Sequence, residues 1–498
     1  MECNKVVNIM NFVRAVEPRH EMDLMTPVVE EIRLNKKYGF DNTFLLQYDT
    51  MMSPAFVELF QREKDDHMEL GIWIEMAESL VESIGVEWRG RWEWDWHVNP
   101  GFLPAYSKEQ KEKIIDTIMA RFRELFGYYP KTAGSWVLDS DSVAYMTEEY
   151  GLEAFCICRD QWGTDGYTFW GGYYNGPYYP SKNNVLQPAQ TLAQQINAPM
   201  IRILGPDPIY CYYEKFGMKY NKMQTDLYTL EPTWNCGQKK EWVKWYFRNL
   251  LENEDMGYSY TQTGQENPFG WKEISKGLPM QMEYLNELAQ AGKIRIEKMC
   301  DTGRSFKERY RMTPPSAYSA LDDWAGFDNQ SVWYSCKNYR LNLFSDEEKV
   351  WIRDIHKFDE NYRDPYLDHP CQEAASVYDA LPVVDGVRFS DEETMSGIFL
   401  GEGKIDRIWK EANKFMAQIT AEGRKIQLAM EEHQIVLISD EDFCAEFVFK
   451  DECLQVRRIL KDRIEYMHNG MGYFLILEEG YLERNYLKSE NGRIVLHF

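Results

Sequence analysis

Eight times along this chain a short apolar run is followed within a few residues by a carboxylate, and an α/β barrel is the fold that makes use of such a pattern. Residues 6–13 lead to Glu17, 43–48 to Asp49, 70–74 to Glu75, 134–138 to Asp139, 154–159 to Asp160, 201–204 to Asp207, 258–263 to Glu266 and 294–299 to Asp301. Every strand of a (β/α) barrel ends at one mouth, so these acids would gather around a single pocket. Single members also have a structural reading, because Asp at the start of a helix accepts from orphan N–H groups. Asp141 is read as such a cap.

The connections carry matching punctuation. Gly39, Gly127, Gly151 and Gly292 each stand between a helical stretch and the next apolar run, as a left-handed C-terminal cap requires. Thr26-Pro27 and Ser53-Pro54 place a cap residue before a proline at the first helical position. In residues 107–126, Ile115, Ile118, Met119, Phe122 and Phe126 recur at steps of three and four, giving one buried stripe.

Beyond residue 301 the pattern changes, and after 371 it becomes mostly period-two. Residues 425–428, 434–438, 444–449, 454–459, 472–477 and 493–498 read as short strands, with Asn469-Gly470 and Asn491-Gly492 as turns. The expected architecture is a distorted (β/α)7-8 barrel over 1–301, a bridging segment over 302–370 with a helix at 345–358, and an antiparallel β-sandwich over 371–498.

With 56 Lys and Arg against 80 Asp and Glu, the chain carries a formal charge of −24, which repels nucleic acid and anionic membranes. No basic start with an apolar stretch opens the sequence and no run of 18 apolar residues occurs, so a cytoplasmic protein is expected. Its ten cysteines are scattered without a Cys-x-x-Cys pair and read as reduced core residues. Neither metal nor cofactor is expected, and a homo-oligomer is compatible with the sequence.

Sixteen Trp are present, eight of them (Trp73, Trp88, Trp92, Trp94, Trp96, Trp136, Trp162, Trp170) in about a fifth of the chain. Flat aromatic faces stack on sugar rings while neighbouring polar groups bond the hydroxyls, which points to a small carbohydrate as substrate. The segment from Arg89 to Asn99, with Trp96 and His97, the loop 158–182, with Trp162, Asp165, Trp170 and Tyr173, and the stretch Gln265-Glu266-Asn267 to Trp271 are the candidate substrate contacts. Arg14, Glu17, Asp49, Trp73 and Trp136 join them from the strand ends.

The stretches ending Val-Arg14-Ala-Val-Glu17, Leu-Gln-Tyr-Asp49, Gly-Ile-Trp-Ile-Glu75 and Ser-Trp-Val-Leu-Asp139, together with Asp160-Gln-Trp-Gly-Thr-Asp165 and Gly-Gln-Glu266-Asn-Pro-Phe-Gly-Trp271, resemble an uncharacterised family of gut-bacterial hydrolases. More distantly, the strand order resembles the (β/α)7 barrel of polysaccharide deacetylases and of family 57 and 38 glycoside hydrolases. Deacetylases of that type hold a divalent metal on an Asp-Asp pair after the first strand and a His-x-x-x-His motif after the third. Here those places read Asn11 to Arg14 and Gly71 to Glu75, without histidine.

The resemblance therefore implies a glycosidase working with two carboxylates. By analogy of strand order with family 57, the pair is Asp139 and Glu266, with Glu75 and Asp160 as the next catalytic candidates. Two other readings stand beside it. One is a metal-dependent deacetylase-like hydrolase with Asp49, Asp139 and Asp160 around a hard cation; the other is a carbohydrate-binding protein without turnover.

Overall fold

A computed structural model describes residues 5–216, 228–253, 256–391, 393–450 and 456–498. Parallel strands β1 (Lys5–Val13), β2 (Asn42–Leu46), β3 (Met68–Trp73), β4 (Thr132–Gly134) and β5 (Ala154–Cys158) pair in chain order. An antiparallel hairpin, β6 (Gln161–Thr164) and β7 (Tyr167–Trp170), interrupts the series before β8 (Met200–Ile203) pairs with β5. β9 (Ser259–Thr263) and β10 (Arg295–Glu297) both pair in parallel with the first residues of β1.

The result is a nearly closed barrel. No strand pairing joins β8 to β9 among the described residues, and the two meet through side chains instead. The Leu204 N–H donates to Gln262 Oε1 at 3.2 Å. Because helices cover their outer faces, β2 to β5 are buried throughout.

Helix ends follow the glycine punctuation: Gly39, Gly127, Gly151 and Gly292 all have φ between 66° and 82°. The helix Lys108–Phe126 opens with a capping box of Ser107 and Gln110 and buries Ile114, Ile115, Ile118, Met119 and Phe122. The first helix departs from the expected start. It begins at Met25, two residues before Pro27, because the Asp23 carboxylate accepts from the N–H groups of Met25 and Thr26.

A large antiparallel sheet follows, opening with β11 (Ser316–Ala320), β12 (Gln330–Ser335), β13 (Tyr339–Ser345) and β14 (Lys349–Lys357) and ending at Arg493–His497. The helix expected over 345–358 is thus corrected to a hairpin. Ser-Asp-Glu-Glu looks like a helix start, but Asp346 Oδ1 accepts from the N–H groups of Glu348 and Lys349 and turns the chain back on itself. Val350, Trp351, Ile352 and Ile355 suit a strand buried on both faces.

The later strands lie where the period-two reading puts them, with 454–455 outside the described residues. Asn469-Gly470 and Asn491-Gly492 both take positive φ, the hairpin geometry that Asn-Gly favours. Barrel and sheet are joined by backbone as well as side chains, since Ser376–Asp379 adds in parallel to β7.

Candidate active site

At the end of β1, Arg14 is the hub of the barrel mouth. Its Nη2 donates to both oxygens of Glu75 at 2.9 and 2.8 Å, its Nε to Gln47 Oε1 at 3.0 Å, and its Nη1 to Glu266 Oε2 at 2.5 Å. Residues from the ends of β1, β3 and β9 are thereby tied together. Asn267 fixes the hub's backbone, accepting from Arg14 N–H at 2.9 Å and donating to its carbonyl at 2.8 Å. Gly264 lets β9 approach this closely: φ is 119°, and a Cβ there would lie 1.9 Å from the Met10 carbonyl oxygen.

Burial pushes both Glu75 and Glu266 above the ordinary carboxylate range, the two charges repel, and Arg14 opposes the rise at each. Glu231, which the strand-to-acid pattern missed, completes the group. Its Oε2 accepts from Thr229 Oγ1 at 3.0 Å, and Gln265 Nε2 stands 3.5 Å from its Oε1 while Gln265 Oε1 accepts from Glu266 N–H at 2.8 Å. Gln265 thus spans two acids. Burial lifts the Glu231 carboxyl to about 7, with Arg159 opposing and the charge of Glu266 adding to the rise. It follows no strand, yet the pairing Glu231-Pro-Thr-Trp234 carries the acid-beside-Trp signal used elsewhere.

The Trp-rich segment forms a stack leading to the hub. Trp94 covers the Arg14 guanidinium at 4.4 Å, and Arg19 lies 5.1 Å from both Trp94 and Trp96. Trp96 in turn stacks on the exposed Trp92 at 5.1 Å and meets the His97 ring edge-on. Glu17 accepts from Arg19 Nε and Nη2, both at 2.7 Å; burial works to raise its carboxyl, but these bonds hold it below the usual range. Asp49 accepts from the N–H groups of Ala15, Val16 and Thr50, fastening the loop after β1, and burial pushes it up to about 6.

From the other side, the β6–β7 hairpin reaches over the mouth. Asp165 at its exposed tip is close enough for its charge to raise Glu75 and Glu266. Trp162 is 38% exposed and meets Trp170 edge-on.

Other candidates have structural work. Trp73 and Trp136 pack with Phe12 as barrel core. Tyr173 is fully buried and donates to Pro314 O, Trp170 donates to Asp385, and Trp271 begins the helix Trp271–Gln290.

Asp139 and Asp160, expected among the catalytic candidates, each sit in a structural network. β4 ends at Gly134, so Asp139 falls at the helix start, fully buried, accepting from Ser142 N–H and paired with Lys111 at 3.1 Å. It takes the capping role expected of Asp141. Asp160 is bonded by Arg202 at 2.7 Å and by Arg340 of β13; burial works to raise it, but the two guanidinium groups win and hold it below the usual carboxylate range. Asp207 caps the turn at Ile209 and Tyr210 and accepts from two indoles, and Asp301 pairs with Arg304.

A metal does not fit these residues. Asp49, Asp139 and Asp160 serve three separate networks, and the slots after β1 and β3 hold a guanidinium bonded to a carboxylate. No group of three or more His, Cys, Asp or Glu among the described residues is placed to hold a metal ion. No described helix is long and apolar enough to cross a membrane.

The fold has counterparts among solved structures. A "putative glycoside hydrolase/deacetylase" from Parabacteroides distasonis matches with a TM-score of 0.54 at 15% identity, covering 76% of this chain and 91% of that one. A "putative polysaccharide deacetylase" from Mycobacterium smegmatis matches with a TM-score of 0.35 at 12% identity, covering 62% and 92%. For a "probable polysaccharide deacetylase" from Pseudomonas aeruginosa PAO1 the values are 0.36, 13%, 62% and 92%. No family model matches the chain, and no curated protein does. The first of these likenesses shows the fold: a parallel α/β barrel shared with a protein of that description.

Proposed function

We propose that this chain is a carbohydrate-active hydrolase that cleaves a glycosidic bond, with Glu231 as acid and Glu266 as the partner carboxylate. The observation that carries the reading is the environment of the two groups. Burial lifts Glu231 to about 7, so it holds a proton near neutrality; burial raises Glu266 as well, but there the Arg14 guanidinium at 2.5 Å opposes the rise. An acid bonded to no cation among the described residues, beside one bonded to a guanidinium, is the kind of unequal pair that glycoside cleavage needs. Glu231 passes its proton to the leaving oxygen as the bond from the anomeric carbon breaks, and Glu266 attacks that carbon or draws a proton from water that does. Glu75 acts through Arg14, holding it in place with three hydrogen bonds.

The likeness to a protein described as a glycoside hydrolase/deacetylase supports a carbohydrate substrate. So does the Trp92–Trp96 stack beside the mouth, a flat surface for a sugar ring. The test is a panel of nitrophenyl glycosides set beside acetylated sugars. Glycoside cleavage by the wild type should fall about a hundredfold to ten-thousandfold in Glu266→Gln, with the melting temperature little changed. Release of acetate without glycoside cleavage, or full activity in Glu266→Gln, would overturn the assignment.

A further inference from the structure

The mouth hairpin β6–β7 rests on a buried network of charge that runs into the sheet. Asp160 is bonded by Arg202 and Arg340, Asp354 accepts from Arg340 Nε and Nη2, both at 2.8 Å, and Asp385 and Asp379 share Arg388, each at 2.7 Å. Four carboxylates thus face three guanidinium groups. The place for a fourth cation is His356, fully buried on β14, with Nδ1 2.9 Å from Asp354 Oδ1 and Nε2 3.1 Å from Asp385 Oδ2. Burial works against an imidazolium there, as do Arg340 and Arg388, whose Nη2 lies 3.1 Å from Nε2, but the two carboxylates prevail and hold His356 above the usual imidazole range. At the outer end, His468 meets Asp379 at 2.6 Å and is partly exposed, while burial keeps the nearby Tyr362 and Tyr212 hydroxyls neutral.

The hairpin is built onto that imidazole. Trp170, the last residue of β7, donates its Nε1 to the same Asp385 Oδ2 at 3.0 Å and lies opposite Asp379 in the parallel pairing. Gly171 follows with φ of 84°, and a Cβ there would stand 2.4 Å from His356 Cδ2, so the chain leaving β7 lies directly on the ring. The Gly171 N–H donates to Asp160 Oδ2 at 3.2 Å.

We propose that His356 is a positioning residue: as an imidazolium it completes the charge balance beneath Trp170 and Gly171, and so holds the β6–β7 hairpin, with Trp162 and Asp165, over the mouth. When the ring loses its proton, the four carboxylates are left one cation short and the hairpin loosens. The held form therefore belongs to lower pH and is lost as the pH rises through the raised value of His356. The consequence for substrate binding rests on the glycosidase reading; the hold on the hairpin does not.

The full chain, with its histidines labelled with 15N, provides the first measurement. The His356 ring, identified by its loss in His356→Gln, should be more than half protonated at about pH 6.5, the ordinary midpoint of imidazole. Amide hydrogen exchange over residues 161–170 should run about tenfold faster in His356→Gln while β1 to β3 keep wild-type rates. The double variant His356→Gln/Asp354→Asn removes one charge of each sign and should return the hairpin to near wild-type exchange, which a loss of packing alone would not allow. For a cleaved glycoside, KM should rise about tenfold in His356→Gln at unchanged kcat and recover in the double variant. A ring mostly neutral at pH 6.5, hairpin exchange unchanged in His356→Gln, or no recovery in the double variant would each overturn the proposal. Should the variants fail to fold, the wild type decides alone: hairpin exchange, corrected for its intrinsic pH dependence, must quicken as His356 titrates, and a hairpin indifferent to that titration overturns it. Faster exchange in His356→Gln without cleavage of any glycoside supports the hold and counts against the glycosidase reading only.

Discussion

Glu231 shows what a single burial can do. Its carboxyl stands at about 7 in the fold, against an ordinary value near 4.3 for an unfolded chain. The folded state binds the proton more tightly, so its contribution to stability is complete below about pH 4 and is lost as the pH rises through about 7. Urea midpoints measured between those limits should fall with rising pH for this group, and Glu231→Gln should flatten that part of the slope. The proton has a second readout, because kcat/KM should decline above about pH 7 in the wild type and lose that limb in Glu231→Gln. A residue such as this was hard to find in the sequence because it follows no strand. Arg14, Glu75 and Glu266 were visible there because each ends one. What the sequence left open was which acids stay in the mouth, since that depends on cations brought from elsewhere: Lys111 to Asp139, Arg202 and Arg340 to Asp160.

Among the elements, parallel strands with glycine-capped helices were legible because burial on both faces and a left-handed cap leave marks in a single segment. The hairpin around Asp346 was not, since its acidic turn mimics a helix start and only its partner strands decide the outcome. The β6–β7 hairpin belongs to the same scale. It presents Trp162, 38% exposed, toward solvent while Trp170 anchors it through Asp385. Trp162→Ala should therefore raise KM for an active glycoside about tenfold and leave kcat nearly unchanged, since a stacking surface binds ground state and transition state alike. A fall in kcat at constant KM would place the indole in the chemistry instead.

For the molecule as a whole, barrel and sheet share charges that neither could bury alone. Arg340 lies fully buried between Asp160 of the barrel and Asp354 of the sheet. Arg340→Met should cost about 3 to 5 kcal/mol, read from urea unfolding, because two buried carboxylates lose a partner. The same arrangement governs how the protein comes into being. The mouth hairpin gains its parallel neighbour from Ser376–Asp379, more than two hundred residues downstream. A ribosome making this chain has released every barrel strand before that neighbour or Arg340 emerges, so the nascent barrel waits, unfinished and exposed to chaperones, until the distal half arrives.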